Sequence, residues 1–405
     1  VIEYNLDLIM RLHRSSARFP RAARRRSGCA SFILLTLLVC GVSFLTWRLL
    51  DRQRTPPGST SDAFADAGAA YARGDLDGAA ASARRALTAR PDRIEAGQIL
   101  VRALIYRSYA EINRTRDREL ALAAAADLLA RLPGRADALA LYAFALQAAG
   151  DPYNAADAAR QALDIAPDDA LARTALALAY SMVGAHEAAM QQSAQAVRDA
   201  IDTATRIDAL RALAIAHRDR GDYAQAIALI DGALRLNDRL LALHFERAAY
   251  AMQLGDTNAA TVSYYQVLVY APDNIKARFR LCELSTILRE HDAAVSYCNE
   301  VIERLPGWAD GWYQLGREYF LHGDFREAQA HFQQCARLQT IQRVPVQERR
   351  FECWYLQGQA ALINGDCPAL REIYREFQTM DIDDAVKQTW VYPPEGPPGC
   401  PFADP

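Results

Sequence analysis

The segment GWYQLGREYFLHGDFREAQAHF, residues 311–332, decides how the rest of the chain is read. Its two apolar-periodic halves flank Gly323-Asp324, a helix stop followed by a helix start. Gly316 and Ala328 are small where a larger side chain would fill a core better. Small residues on facing turns let two helices approach closely, and a bulky replacement at either would overpack the contact by about 1–3 kcal/mol.

The same punctuation recurs along the chain. Gly74-Asp75, Gly150-Asp151, Gly221-Asp222, Gly255-Asp256 and Gly365-Asp366 share the dipeptide. Gly150 to Gly184 is 34 residues, as is Gly221 to Gly255, and two further steps pass Arg289 to land on Gly323. Pro133 to Pro167, Asp238 to Pro272 and Pro272 to Pro306 repeat the step of 34. Three extra residues near Thr203 and eight between Pro91 and Pro133 account for the breaks in phase.

A helix–turn–helix unit of this length closed by proline resembles the tetratricopeptide repeat. Residues 312–340 carry the pattern best, in Trp312, Leu315, Gly316, Tyr319, Ala328 and Phe332, with Cys335 where the family prefers alanine. Looser copies keep Ala143, Ala155, Ala162 and Pro167, and then Ala214, Ala226 and Ala233. About nine units are expected over residues 63–382, the second lengthened and the ninth degenerate after the insert IQRVPVQERR. The resemblance implies an all-α fold, an α-α superhelix whose first helices line an inner groove. Each hairpin covers only part of its apolar surface, so neighbours must stack to bury the rest.

In such a repeat the register of Tyr313 faces the concave side. The resemblance therefore implies an aromatic ladder of Phe245, Phe279, Tyr313 and Tyr355. Met252, Arg317 and Phe320 join it at flanking inner positions, with Glu283, Ile287, Gln359 and Leu362. Ala140, Thr174 and Arg211 hold the ladder position in earlier units, which puts the adhesive half at the C-terminal end. The expected partner is a peptide segment of another protein, held by aromatic anchors; the competing reading is that these rings only pack helices. A clamp for a terminal carboxylate is incomplete: Lys276 and Arg280 imitate one piece, but Arg211, Ile215 and Glu246 stand where the rest belongs.

Cys282, Cys298, Cys335, Cys353, Cys367 and Cys400 all fall in the last third. Six cysteines allow 15 connectivities, which the repeat geometry narrows. Cys282 and Cys298 occupy the registers of Gly316 and Phe332, facing across one hairpin. Cys335 and Cys353 lie on adjoining helices, and Cys367 then tethers the proline-rich tail 383–405 through Cys400. Six idle thiols are the alternative in a reducing compartment.

The N-terminus has a different character. Residues 1–27 form a basic tail with seven arginines between residues 11 and 26, and Met10 just ahead of them is an expected start position. Residues 28–47, GCASFILLTLLVCGVSFLTW, run without a charge, and at about 1.5 Å per residue they match the hydrocarbon core of a bilayer. A cleaved signal peptide shares the basic flank, but the run is long and no small-x-small site follows it. A single transmembrane helix at 28–50 is expected, then a linker at 51–62. The arginine excess keeps the tail cytoplasmic and sends the repeats outside, to the periplasmic or cell-surface side of the membrane. Of 46 basic residues only Lys276 and Lys387 are lysine, which fits a GC-rich bacterial genome.

No catalytic constellation accompanies the repeats. The histidines, His13, His186, His217, His244, His291, His322 and His331, have no HExxH or other ligand spacing, so no metal is expected. There is no phosphate loop and no GxSxG turn, so neither a cofactor nor an enzyme is expected. A net charge of −3, with basic clusters matched by acids, leaves no nucleic-acid stripe. The expectation is a membrane-anchored scaffold that assembles or stabilises an envelope complex. The alternative is a structural subunit that self-associates as a homo-oligomer or joins a larger membrane assembly.

Overall fold

A computed structural model describes residues 60–114 and 116–402. The expected basic tail, the span at 28–50 and linker residues 51–59 lie outside the described residues. Among the described residues no helix is long and apolar enough to cross a membrane.

Eighteen of the described helices pair into nine antiparallel hairpins. The first hairpin is α1 (Thr60–Ala72) with α2 (Leu76–Ala89), and the second is α3 (Ile94–Ala110) with α4 (Arg116–Arg131). The third and fourth are α5 (Ala136–Ala149) with α6 (Pro152–Ile165), and α7 (Ala170–Met182) with α8 (His186–Asp199). The fifth and sixth are α9 (Thr203–Asp219) with α10 (Tyr223–Leu236), and α11 (Leu241–Gln253) with α12 (Thr257–Tyr270). The seventh is α13 (Ile275–Leu288) with α14 (His291–Arg304). The eighth is α15 (Ala309–His322) with α16 (Phe325–Ile341), and the ninth is α17 (Glu352–Ile363) with α18 (Cys367–Thr379). A four-residue helix, α19 (Asp384–Lys387), follows. Helix α1 starts inside the stretch expected as linker, with Asp62 in its first turn, where a carboxylate suits the helix dipole.

The Gly-Asp punctuation acts as two caps in series. Gly323 closes α15 in the left-handed region at φ 99°. In most other hairpins the Asp then accepts from the backbone N–H three residues on: Asp75 from Gly78 at 2.8 Å, Asp256 from Ala259 at 2.9 Å. Arg289 takes the glycine position of the seventh hairpin at φ 61°, a conformation that strains an L side chain. A Cβ on Gly316 would lie 2.9 Å from the ring of Phe332, so the close approach is to Phe332. Ala328 joins Phe332 and Ala360 of the ninth hairpin in a buried cluster.

Alanine builds the core of the first half, where Ala143, Ala159, Ala175, Ala214 and Ala226 are all fully buried. Here the array departs from a groove open along its length, because α3 lies across the inner face. Its Arg102 reaches Asp208 on α9 at 2.6 Å, and Tyr106 donates to the other oxygen of Asp208 at 2.7 Å. Asn274 at the start of α13 donates to the Ala110 carbonyl at 3.1 Å. A Cβ on Gly74 would lie 2.6 Å from Arg239, so the first hairpin's turn also touches the connection between α10 and α11. The small side chains allow this tight closure; the inner face of the second hairpin is spent on its own chain.

The structure pairs Cys282 with Cys298 across α13 and α14, and Cys335 with Cys353 between α16 and α17, at Cα separations of 5.2 and 5.9 Å. Cys367 pairs with Cys400 of the tail, Cα to Cα 5.0 Å. The tail is folded against the last hairpin. Trp390 is buried between Tyr374 and Phe377, with ring centroids 5.3 Å from each, and Phe402 stacks on Tyr374 at 5.2 Å. Gly358 makes room for it, since a Cβ there would lie 2.4 Å from the Trp390 ring.

Candidate functional site: a cationic cleft on the inner face

Beyond α3 the inner face opens into a cleft of about 660 Å³, walled by the first helices of hairpins five to eight. Phe245, Met252 and Arg317 line it, three of the seven expected groove residues, and Glu283 and Ile287 join them. The other four lie outside the lining. Phe279 packs on Trp308 with centroids 4.6 Å apart, and Phe320 meets Phe325 edge-on at 5.2 Å. Tyr313 sits beneath the Arg350 guanidinium at 4.4 Å, and Trp390 of the tail covers Tyr355 at 5.6 Å. These rings pack within a hairpin, between hairpins or against the tail, and Phe245 itself is 8% exposed at the base of the cleft. The ladder register thus divides between the cleft lining and packing.

Charge dominates the lining. Arg211, Arg218, Lys276, Arg280 and Arg317 face two carboxylates, Glu246 and Glu283, in a chain whose overall charge is −3. Arg211 pairs with Glu246 at 2.6 Å and lies 4.8 Å above the Tyr109 ring. Burial tends to lower the Arg211 pKa, but Glu246, Tyr109 and Tyr106 together outweigh it and the guanidinium stays well above its ordinary value. Lys276 donates to the Tyr109 carbonyl and sits 4.6 Å over the Phe245 ring. Burial, then neighbouring Arg280, lowers the Lys276 pKa to about 8. Arg280 is tied to Glu283 at 2.6 Å. Two buried polar atoms, Glu246 Oε2 and the Tyr250 hydroxyl, have no hydrogen-bond partner among the described residues. Unpartnered groups beside an open cleft are available to a ligand.

Sequence reasoning placed Arg211 at an interruption of the ladder and missed Tyr109 altogether. The available signal was in α3, which carries Arg102 and Tyr106 at midhelix, both buried.

The hairpin stack with its inner cleft defines an αα-solenoid. Tetratricopeptide repeat profiles match residues 211–274 and 309–340. Those two segments are tetratricopeptide repeats, a unit that generally builds non-catalytic scaffolds, and the remaining hairpins share the fold. Among solved structures the chain is similar to the APC/C hetero-tetramer Cut9–Hcn1, with TM-score 0.53 and 15% identity over 73% of this chain and 54% of that one. The chain thus spans about half the length of that relative. A tetratricopeptide repeat protein from Parabacteroides merdae gives TM-score 0.43 and 16% identity, covering 63% of this chain and 96% of that one. PilF from Pseudomonas aeruginosa gives 0.39 and 20%, covering 56% and 99%. No curated protein sequence matches the chain.

Proposed function

We propose that the protein is a membrane-tethered scaffold whose inner cleft holds a segment of a partner protein. The cleft carries the reading: it combines apolar footing in Phe245, Met252 and Ile287 with cationic walls and unpartnered hydrogen-bonding atoms. Such a mixture suits an extended segment that buries an apolar side chain and offers polar groups beside it. The uncharged run at 28–47 and its arginine flank support a single-pass tether, with the hairpins outside the cytoplasm. Three pairs of half-cystines support the same compartment. Assembly or stabilisation of an envelope complex is the role these features fit.

A photo-crosslinking residue at Met252 in the full chain, irradiated in native membranes, tests the reading. A discrete crosslinked protein at Met252, absent from the exposed outer-face position Val262, supports it. Equal labelling at both positions, or none at Met252, overturns it.

A second reading, self-association, draws on a separate observation. Leu254, Ile287, Leu321 and Ile363 end the first helices of the last four hairpins and are each at least half exposed, Leu254 the least at 50%. Light scattering over a range of concentrations decides: a constant monomer mass argues against it.

A further inference from the structure

We propose that the turn edge between the seventh and eighth hairpins is a site for a divalent transition-metal ion, held by His291, His322, Asp324 and Glu318. One ligand atom from each of His291, His322 and Asp324 lies within 4.8 Å of the others. The Nδ1 of His291 lies 2.9 Å from Glu318, and that of His322 lies 2.8 Å from Asp324. The two imidazoles stack with centroids 3.7 Å apart and planes 12° from parallel. Glu318 is 4% exposed, and its second oxygen is buried without a partner among the described residues.

The ion pairs recorded for the two carboxylates are with these imidazoles, not with arginine or lysine. A single dication neutralises the carboxylates with both rings uncharged, and it also takes up the spare oxygen of Glu318. Two imidazole nitrogens and carboxylate oxygens are the donor set of Zn²⁺ and its neighbours, and a poor one for Mg²⁺. For both lone pairs to converge the rings must splay, and the His322 side chain, 53% exposed at the end of α15, has room to swing.

The repeat does not explain the cluster. Steps of 34 carry His322 back to Leu288, Asp324 back to Glu290 and His291 forward to Phe325, so no neighbouring pair of hairpins recreates it. An ion here would clip two turns together one residue from Arg317, at the wall of the cleft.

Calorimetric titration of ZnCl₂ into the untagged, chelator-stripped full chain tests the site. One zinc per chain is expected, with no heat from MgCl₂, and Co²⁺ should give the strong visible bands of a tetrahedral site. The combined His291→Ala and His322→Ala variant should lose the site. Glu318→Gln removes a charged ligand and should weaken binding by more than the about 10- to 100-fold that losing an outer-shell partner costs. His217→Ala should bind as the parent does, because His217 faces a carboxylate, Asp222, at 3.1 Å outside this cluster. His322→Asn, at an exposed position, gives the same reading should the double variant fail to fold. No zinc uptake, or uptake unchanged in the double variant and in His322→Asn, overturns the proposal.

Discussion

Arg102 and Asp208 lie 106 residues apart in sequence and 2.6 Å apart in space, both almost wholly buried. Burial lowers the Arg102 pKa, Asp208 with Tyr71 and Asp202 raises it by more, and the guanidinium is held above its ordinary value. The pair joins the second hairpin to the fifth, which stacking between neighbours alone would not achieve.

Replacing one partner therefore strands a charge. Asp208→Ala should destabilise the chain by about 3–5 kcal/mol, the range for breaking a buried pair from one side. Urea unfolding should show a lower midpoint at an unchanged slope. Arg102→Met combined with Asp208→Leu should recover most of the loss. A single-variant cost no larger than that of an exposed pair would contradict the closure described above.

Arg289 offers the opposite sign. It is exposed and holds a left-handed conformation that glycine adopts freely. Arg289→Gly should raise stability by about 1 kcal/mol, the strain released. Arg289→Val should lower it. Thermal unfolding of the two variants checks both directions.

Gly358→Ala should dislodge the tail, because the new methyl meets the Trp390 ring at 2.4 Å. Overpacking of this kind costs about 1–3 kcal/mol. The expected readouts are a red shift in tryptophan emission and faster tryptic cleavage at Lys387. Unchanged emission with unchanged cleavage would count against the tail as a cap.

Lys276 sets a pH dependence. Its folded pKa of about 8 lies below the ordinary 10.5, so across that window the unfolded chain keeps a proton that the folded chain has released. Stability should therefore rise with pH through the window, and the penalty is full below it. The deficit of the parent chain relative to Lys276→Met should narrow as pH climbs past 10. Chemical denaturation at neutral and alkaline pH measures it.

Peptide mapping of the non-reduced chain should recover links 282–298, 335–353 and 367–400. Severing the last with Cys400→Ser opens a loop of 33 residues, worth about 3–4 kcal/mol on the chain-entropy account.

The hairpin rhythm was legible because glycine and proline mark most turns, and phase over nine units outweighs any weak copy. The cysteine pairings were legible for the same reason, since register brings Cys282 and Cys298 onto facing helices. The sweep of α3 across the inner face was not legible. A step of 34 reports which hairpins stack, and says nothing of how tightly the array curls. The curl depends on small inter-hairpin rotations summed over four units, and Arg102 and Asp208 meet only at the end of that sum. The ladder was half legible: Phe245 reached the cleft, whereas Tyr355 was claimed by a tail whose Trp390 carries no repeat signature. His291 and His322 were invisible as a pair, being 31 residues apart and out of phase with the period.

The reach of α3 also alters how the molecule answers a pulling force. A linear array yields hairpin by hairpin, each step small and nearly independent. Here the second hairpin is laced to the fifth and to the start of the seventh, so tension applied at Thr60 loads all of them together. The N-terminal two thirds should rupture in one event, leaving the cystine-braced end to give way afterwards.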